Sequence, residues 1–295
     1  MSADEQSTAV SNLNDWHLLH YGRDFIEALI VRSEGAYIYT EEGRAVLDFS
    51  SGQMCATIGH NHPRIAEAMA QAGRTVLHLD STMLSPDVVE LADRLCGLLP
   101  PSLSKAQFLN TGGEANESAI RFAKIASGRF EVIGMAGSWH GTTTGASSAT
   151  YAHGRKNYGP AMPGLLASPA PNAYRCPIRR CREHCDMTCL DIGFDMIGAT
   201  SVGSEVVLIV EPVQSAGGIV VPPEGYFQRL RDHCESRGIL LISDEAQTGL
   251  GRVEAMFAFE EVGVVPDILT LSKTLGGGLS LSAVVASEEV AAQGK

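Results

Sequence analysis

The chain has 295 residues, 44% hydrophobic and 19% charged, with Lys+Arg 22 against Asp+Glu 34 and a net charge of -12. That length can bury a core without disulfides or metals, and the composition excludes a disordered chain. The acidic balance, with no basic arm or stripe, speaks against nucleic acid, and no apolar run reaches the roughly 20 residues of a membrane span.

In chain order, residues 1–24 form a polar, partly helical lead-in. The opening MSADEQSTAV has neither a basic n-region nor an apolar h-region, so it is not a secretory signal. Seven cysteines are an odd number, read most simply as free thiols in a reducing cytoplasm. From Phe25 to Phe49 short β-rich runs flank Glu41-Glu42-Gly43, predicting a small hairpin. Asn61-His62-Pro63 opens a helix, and Ser85-Pro86 opens another with Val88, Leu91, Ala92 and Leu95 as its apolar positions. Then come a strand over 106–109, a helix over 114–127, and strands over 131–135 and 205–210. A helix over 226–237 ends at Gly238, and strands follow over 239–243 and 268–271. This alternation predicts a mainly parallel sheet covered by helices. The division expected is an N-terminal segment with a small hairpin over 1–60 and a large α/β domain over 61–295.

In such sheets chemistry gathers at the carboxyl ends of strands. Thr111-Gly112-Gly113 lies between a strand and a helix, where bare backbone N–H groups and the helix dipole suit an anion. A plain glycine turn with Asn110 or Thr111 as N-cap is the alternative. Asp244-Glu245 ends a strand and suits a metal ligand, a catalytic acid or the partner of a cation. Lys273 leaves an apolar strand beside Gly276-Gly277-Gly278, and partial desolvation there favours Schiff-base chemistry; a surface lysine is the alternative. Trp139, one of two tryptophans, is either core packing or a platform for a flat ring. Together these parts meet the needs of pyridoxal phosphate.

The segments SDEAQTGLGR, LTLSKTLGGG, LNTGGEANESAIRFAK and SWHGTTTGA resemble the class III aminotransferase family of fold-type I pyridoxal-phosphate enzymes. Within it, DFSSGQM, SWHGTTTGASSATY and PDILTLSKTLGGGLSL are most similar to the 2,2-dialkylglycine decarboxylases. The resemblance covers about residues 15–290. It implies an α/β fold with a mainly parallel seven-stranded-type sheet flanked by helices. It implies pyridoxal 5'-phosphate as cofactor, and a small amino acid or amine and a 2-oxo acid as substrates. A homodimer or dimer of dimers is implied for the full-length protein. Lys273 matches the Schiff-base lysine, Asp244 the partner of the ring nitrogen, and Gln247 the donor to the phenolic oxygen. Thr111, Gly112 and Gly113 match the phosphate cup, and Trp139 the stacking ring. Gln53 matches a contact to the substrate carboxylate, and Glu211 a residue on the substrate side. Leu79 and Ser81 fall where the decarboxylase binds a structural alkali-metal ion.

Two departures stand out. Ser215-Ala216 lacks the second serine of the decarboxylase pattern, which leaves ordinary transamination as a competing reading. Family members also continue well past the Schiff-base lysine into a small domain that grips the substrate carboxylate. This chain stops at Lys295, so a truncated, catalytically silent cofactor-binding fragment is a further reading. Cys176, Cys181, Cys185 and Cys189, with His184 among them, are spaced unlike most structural zinc sites and are read as a structural loop, with a zinc module as the rival. His60-Asn61-His62 is read as a turn and helix start rather than a metal pair. Arg155 and Arg252 are the arginines to consider for a carboxylate within the chain.

Overall fold

The computed structural model describes residues 17–19, 25–26, 28–76, 78–152, 156, 158–176, 178 and 184–293. Most of the lead-in, Arg155 and Cys181 lie outside them.

The hairpin forms as the sequence suggests: β2 (Tyr37–Thr40) and β3 (Ala45–Leu47) pair antiparallel, and β1 (Ile30–Glu34) adds a third strand. The chain then passes through α1 (Ser51–Met54), a four-residue turn interrupted by non-helical Gly52 and Gln53. Next come α2 (Pro63–Ala72) and α3 (Pro86–Gly97), each with proline in its first turn. Ser85 caps α3 by accepting the Val88 N–H.

The main sheet contains β4 (Lys105–Leu109), β5 (Glu131–Met135), β6 (Leu165–Ser168), β7 (Glu205–Val210), β8 (Leu240–Asp244), β9 (Ile268–Leu271) and β10 (Ser282–Ala286). Their spatial order is β4-β10-β9-β8-β7-β5-β6. The strands run parallel except β10, which pairs antiparallel with both β4 and β9. The sequence reading had five of the seven; β6 and β10 are short apolar runs without flanking helical periodicity to frame them. The helices α4 (Gly112–Ser127), α5 (Thr144–Ala149), α6 (Thr188–Thr200), α7 (Tyr226–Arg237), α8 (Ala258–Val262) and α9 (Glu288–Gln293) cover the sheet.

Strands buried on both faces read as continuous apolar runs, and β7 shows it from Val206 to Val210. Val207 and Ile209 pack with Ala115, Ala119 and Ala123 of α4, while Leu208 and Val210 pack with Phe194 of α6 and Leu230 of α7. The alanine stripe lets α4 approach the sheet closely. Gly128 and Gly238 end α4 and α7 in the left-handed conformation, as expected of C-cap glycines. No helix among the described residues is long and apolar enough to cross a membrane.

One buried acid links β8 to the helix beyond it. Glu245 is 1% exposed and accepts the N–H groups of Ala258 (2.6 Å) and Phe259 (2.8 Å) at the start of α8. Burial outweighs these donors and pushes its carboxyl up to about 7. An unfolded glutamate titrates near 4.3, so between these values the folded chain binds the extra proton. The stability from Glu245 is therefore complete at low pH and is lost as pH rises through about 7. Glu245→Gln, an uncharged isostere, is expected to flatten the fall in unfolding free energy from about pH 5 to pH 7, measured by urea denaturation at each pH.

Candidate active site

The loops carrying the candidate residues leave the carboxyl ends of parallel strands. Asn110–Gly113 follow β4, Trp139 and His140 follow β5, Glu211–Ser215 follow β7, Gln247 follows β8 and Lys273 follows β9. With α1 they enclose a cleft of about 840 Å³. Thr111, Gly112, Gly113, Trp139, Asp244, Gln247, Lys273 and Gln53 all line it.

The cup is built by α4. Thr111 accepts the Glu114 N–H, and Glu114 in return accepts the N–H groups of Thr111 (3.0 Å) and Asn110 (2.9 Å). This reciprocal capping box satisfies part of the helix end and leaves the Gly112 and Gly113 region bare of side chains. Gly141 closes the other side. A Cβ there would sit 2.5 Å from the Gly113 Cα, and its φ of +128 already demands glycine.

Asp244 is 5% exposed. One carboxyl oxygen accepts from Asn116 Nδ2 (2.7 Å) and meets His140 Nδ1 (2.8 Å); the other accepts the Ala246 N–H (3.1 Å). The Asn116 amide is itself fixed. It donates to the His140 carbonyl (2.8 Å) and accepts from the Thr270 hydroxyl (2.7 Å). Sequence reasoning gave Asn116, His140 and Thr270 no role. The available signal was an amide side chain, Asn116, on a buried face of α4 made otherwise of small and apolar residues.

Lys273 opens a 3₁₀ turn, Lys273–Gly276, with a left-handed φ of 46. Its Nζ donates to Gln247 Oε1 (3.4 Å), which also accepts from the Ser215 hydroxyl (2.7 Å). Glu211 lies behind this wall rather than lining the cleft. It is 7% exposed and accepts the N–H groups of Trp139 (2.6 Å) and Ser215 (3.0 Å), and burial holds its carboxyl above the usual range. The expectation for Glu211 on the substrate side thus becomes a clamp between two cleft walls.

Leu79 and Ser81 do not line the cleft; both are exposed, and the neighbouring Asp80 carboxylate is engaged by Thr82. Cys176, Cys185 and Cys189 are free thiols, and no group of three His, Cys, Asp or Glu among the described residues is arranged to hold a metal. Arg252 is exposed and does not line the cleft. His60 and His62 do not share a ligand position: His60 bonds Asp48, and His62 caps α2.

Residues 20–295 match the family model for aminotransferase class-III. The chain belongs to that family. An uncharacterised aminotransferase of Schizosaccharomyces pombe is 49% identical over 274 residues, 92% of this chain and 61% of the relative. A probable 4-aminobutyrate aminotransferase of Bacillus subtilis is 35% identical over 272 residues, 89% of this chain and 62% of the relative. An amine transaminase from an uncultivated Pseudomonas species, solved with pyridoxal phosphate bound, superposes with a TM-score of 0.87 at 30% identity, over 95% of this chain and 67% of that one. This chain therefore spans about six tenths of the length of these curated relatives.

Pyridoxal phosphate is the cofactor of class III aminotransferases, and the cleft of this chain fits it. The glycine cradle has room and bare backbone for a phosphate at the N-terminus of a sixteen-residue helix. Asp244 is a buried acceptor with its geometry fixed, and Lys273 reaches the same space. Gly141→Ala is expected to lower pyridoxal phosphate retention at least about tenfold, read by absorbance of the dialysed protein and by its cofactor dissociation constant.

Proposed function

We propose that this chain is the cofactor-binding part of an aminotransferase that acts on a small amino acid or amine and passes the amino group to a 2-oxo acid. The finer reading is decarboxylation-dependent transamination of the dialkylglycine kind. The observation that carries the proposal is the convergence of Lys273, Asp244 and the Gly112–Gly113–Gly141 cradle on one cleft. The full-length protein is proposed to act as a homodimer or dimer of dimers.

Thr111 and the N–H groups of Gly112 and Gly113 would hold the phosphate, and Trp139 would stack on the ring. Bound pyridoxal phosphate supplies an aldehyde that captures an amine and a flat ring that takes up the electrons of the bond broken at the substrate carbon. Asp244 keeps a proton on the ring nitrogen, and Asn116 and His140 keep Asp244 in place to do so. Lys273 carries the proton to and from the substrate carbon. Gln247 has its oxygen occupied by Ser215 and Lys273, so its amide hydrogens are left to meet the phenolic oxygen.

Which bond breaks depends on which one stands perpendicular to the ring. Gln53, exposed at the cleft rim, would be the amide donor to a substrate carboxylate on the decarboxylase reading. Against this, Ala216 has no hydroxyl, and the Ser215 hydroxyl is already given to Gln247. That pair of facts favours ordinary transamination as the second reading.

The deciding experiment supplies 2-aminoisobutyrate and pyruvate to the protein loaded with pyridoxal phosphate. Carbon dioxide released in step with alanine supports the decarboxylase reading. Amino transfer from other amines without carbon dioxide supports the ordinary transaminase. Neither product means a silent fragment and ends the proposal. Borohydride reduction is expected to fix the pyridoxyl group on Lys273, and a label on another lysine would remove that assignment. Asp244→Asn is expected to keep bound cofactor while kcat and kcat/KM fall together by at least about 100-fold; unchanged turnover would show that Asp244 has another task.

A further inference from the structure

The turn that carries Gln53 into the cleft is strained, and something outside the cleft holds it. Ser51 and Met54 are non-glycine residues with φ of 53 and 60, flanking Gly52 at 63. Left-handed conformations at such residues persist only where the surroundings over-determine them. Backbone hydrogen bonds from Met54 to Ser50 and from Cys55 and Ala56 to Ser51 close the turn, and a side-chain carboxylate with its partners ties it to the rest of the chain. Asp48 accepts the Ser50 N–H (2.8 Å) and the Gly52 N–H (2.7 Å), and pairs with His60 Nε2 (2.7 Å). The side chains of Asp48 and His60 are 12% and 17% exposed. The Gly52 N–H above all, then His60 and Ser50, hold the Asp48 carboxyl below the usual range despite its partial burial.

His60 is anchored in turn. Its backbone exchanges hydrogen bonds with Gly35, at the turn between β1 and β2, over 2.8 and 3.1 Å. Ile65 of α2, which follows closely, packs on the 3₁₀ turn of Lys273: a Cβ on Gly277 would lie 2.5 Å from Ile65 Cδ1. The Asp48–His60 pair therefore joins the small sheet, α2 and the α1 turn. That turn delivers Gln53, Met54 and Cys55 to the cleft beside Lys273.

We propose that Asp48 and His60 form a positioning hub, outside the reacting groups, that clamps the strained Ser51–Met54 turn and so fixes how Gln53 and Met54 meet the substrate's carbon substituents. This rests on the proposed function for its consequence in catalysis, but not for its structural content. Cys55 supplies an independent reporter. It is half-buried in the cleft with its thiol directed to the Gln53 carbonyl (3.2 Å). A thiol held this way alkylates slowly, and loosening the turn exposes it.

The test compares wild type, Asp48→Asn, His60→Gln and His60→Ala, each as the full chain loaded with pyridoxal phosphate. Alkylation of Cys55 by iodoacetamide is followed by peptide mass spectrometry, and circular dichroism checks folding. Asp48→Asn is expected to raise the Cys55 rate about tenfold, which corresponds to 1.4 kcal/mol in the opening equilibrium, with the other thiols and the cofactor absorbance unchanged. His60→Gln, which keeps a donor for Asp48, is expected to stay closer to wild type than His60→Ala. In turnover, KM for the amino donor should rise more than kcat falls. Should Asp48→Asn fail to fold, the His60 pair of variants carries the decision. Cys55 rates within about twofold of wild type in every folded variant, below any meaningful shift in the opening equilibrium, would overturn the hub. The alkylation readout needs no turnover, so it judges the hub even if wild type transfers no amino group, an outcome that would defeat the functional proposal alone.

Discussion

A carboxyl group buried at the end of a central strand needs hydrogen-bond partners for its oxygens. Asp244 meets that condition by drawing on four parts of the chain: Asn116 from α4, His140 from the loop after β5, Ala246 from its own loop, and Thr270 from β9 through Asn116. These bonds do more than satisfy one side chain. They fix the start of α4 against the sheet, and the start of α4 is where Gly112 and Gly113 form the cup. The site that would protonate a ring nitrogen and the site that would hold a phosphate are thus set at a fixed separation by the same network.

Glu211 plays a parallel part on the other flank. By accepting from Trp139 and Ser215 it ties the loop after β5 to the loop after β7. These two loop walls are therefore held from behind by the buried Glu211 carboxyl, and the surface facing a ligand carries glycine, amide, indole and amine groups beside the Asp244 carboxyl.

The residues that face the cleft were largely legible in the sequence, because their chemistry depends on place along the chain. Lys273 and Asp244 follow apolar strands, and Thr111-Gly112-Gly113 sits between strand and helix; strand ends of a parallel sheet converge in space. The buried supports were not legible in this way. Asn116 reaches Asp244 across 128 positions of sequence, a contact made only after α4 docks on the sheet. Glu211 was noticed, but its direction depends on which side of β7 the loop turns, which periodicity does not report. The hairpin over residues 37–47 was read correctly because its turn chemistry is local. β10 was not, since a four-residue apolar run, Ala283–Ala286, soon after a glycine triplet looks like the end of a loop until its antiparallel pairing with β4 and β9 is seen.

The shared acceptor on Gln247 has a consequence for events that displace the lysine. An amide side chain has two nearly isosteric ends, and a change in its neighbours often turns it over. Here the oxygen is held by the Ser215 hydroxyl at 2.7 Å, a shorter bond than the 3.4 Å one from Lys273. The hydroxyl can donate or accept, whereas the lysine ammonium can only donate, so the lysine is the partner that fixes which end of the amide faces it, and its departure would leave the serine holding the position of Gln247 but not its sense. Gln247 is in effect a compass needle on a fixed pivot, with Ser215 as the pivot and Lys273 as the pole that turns it.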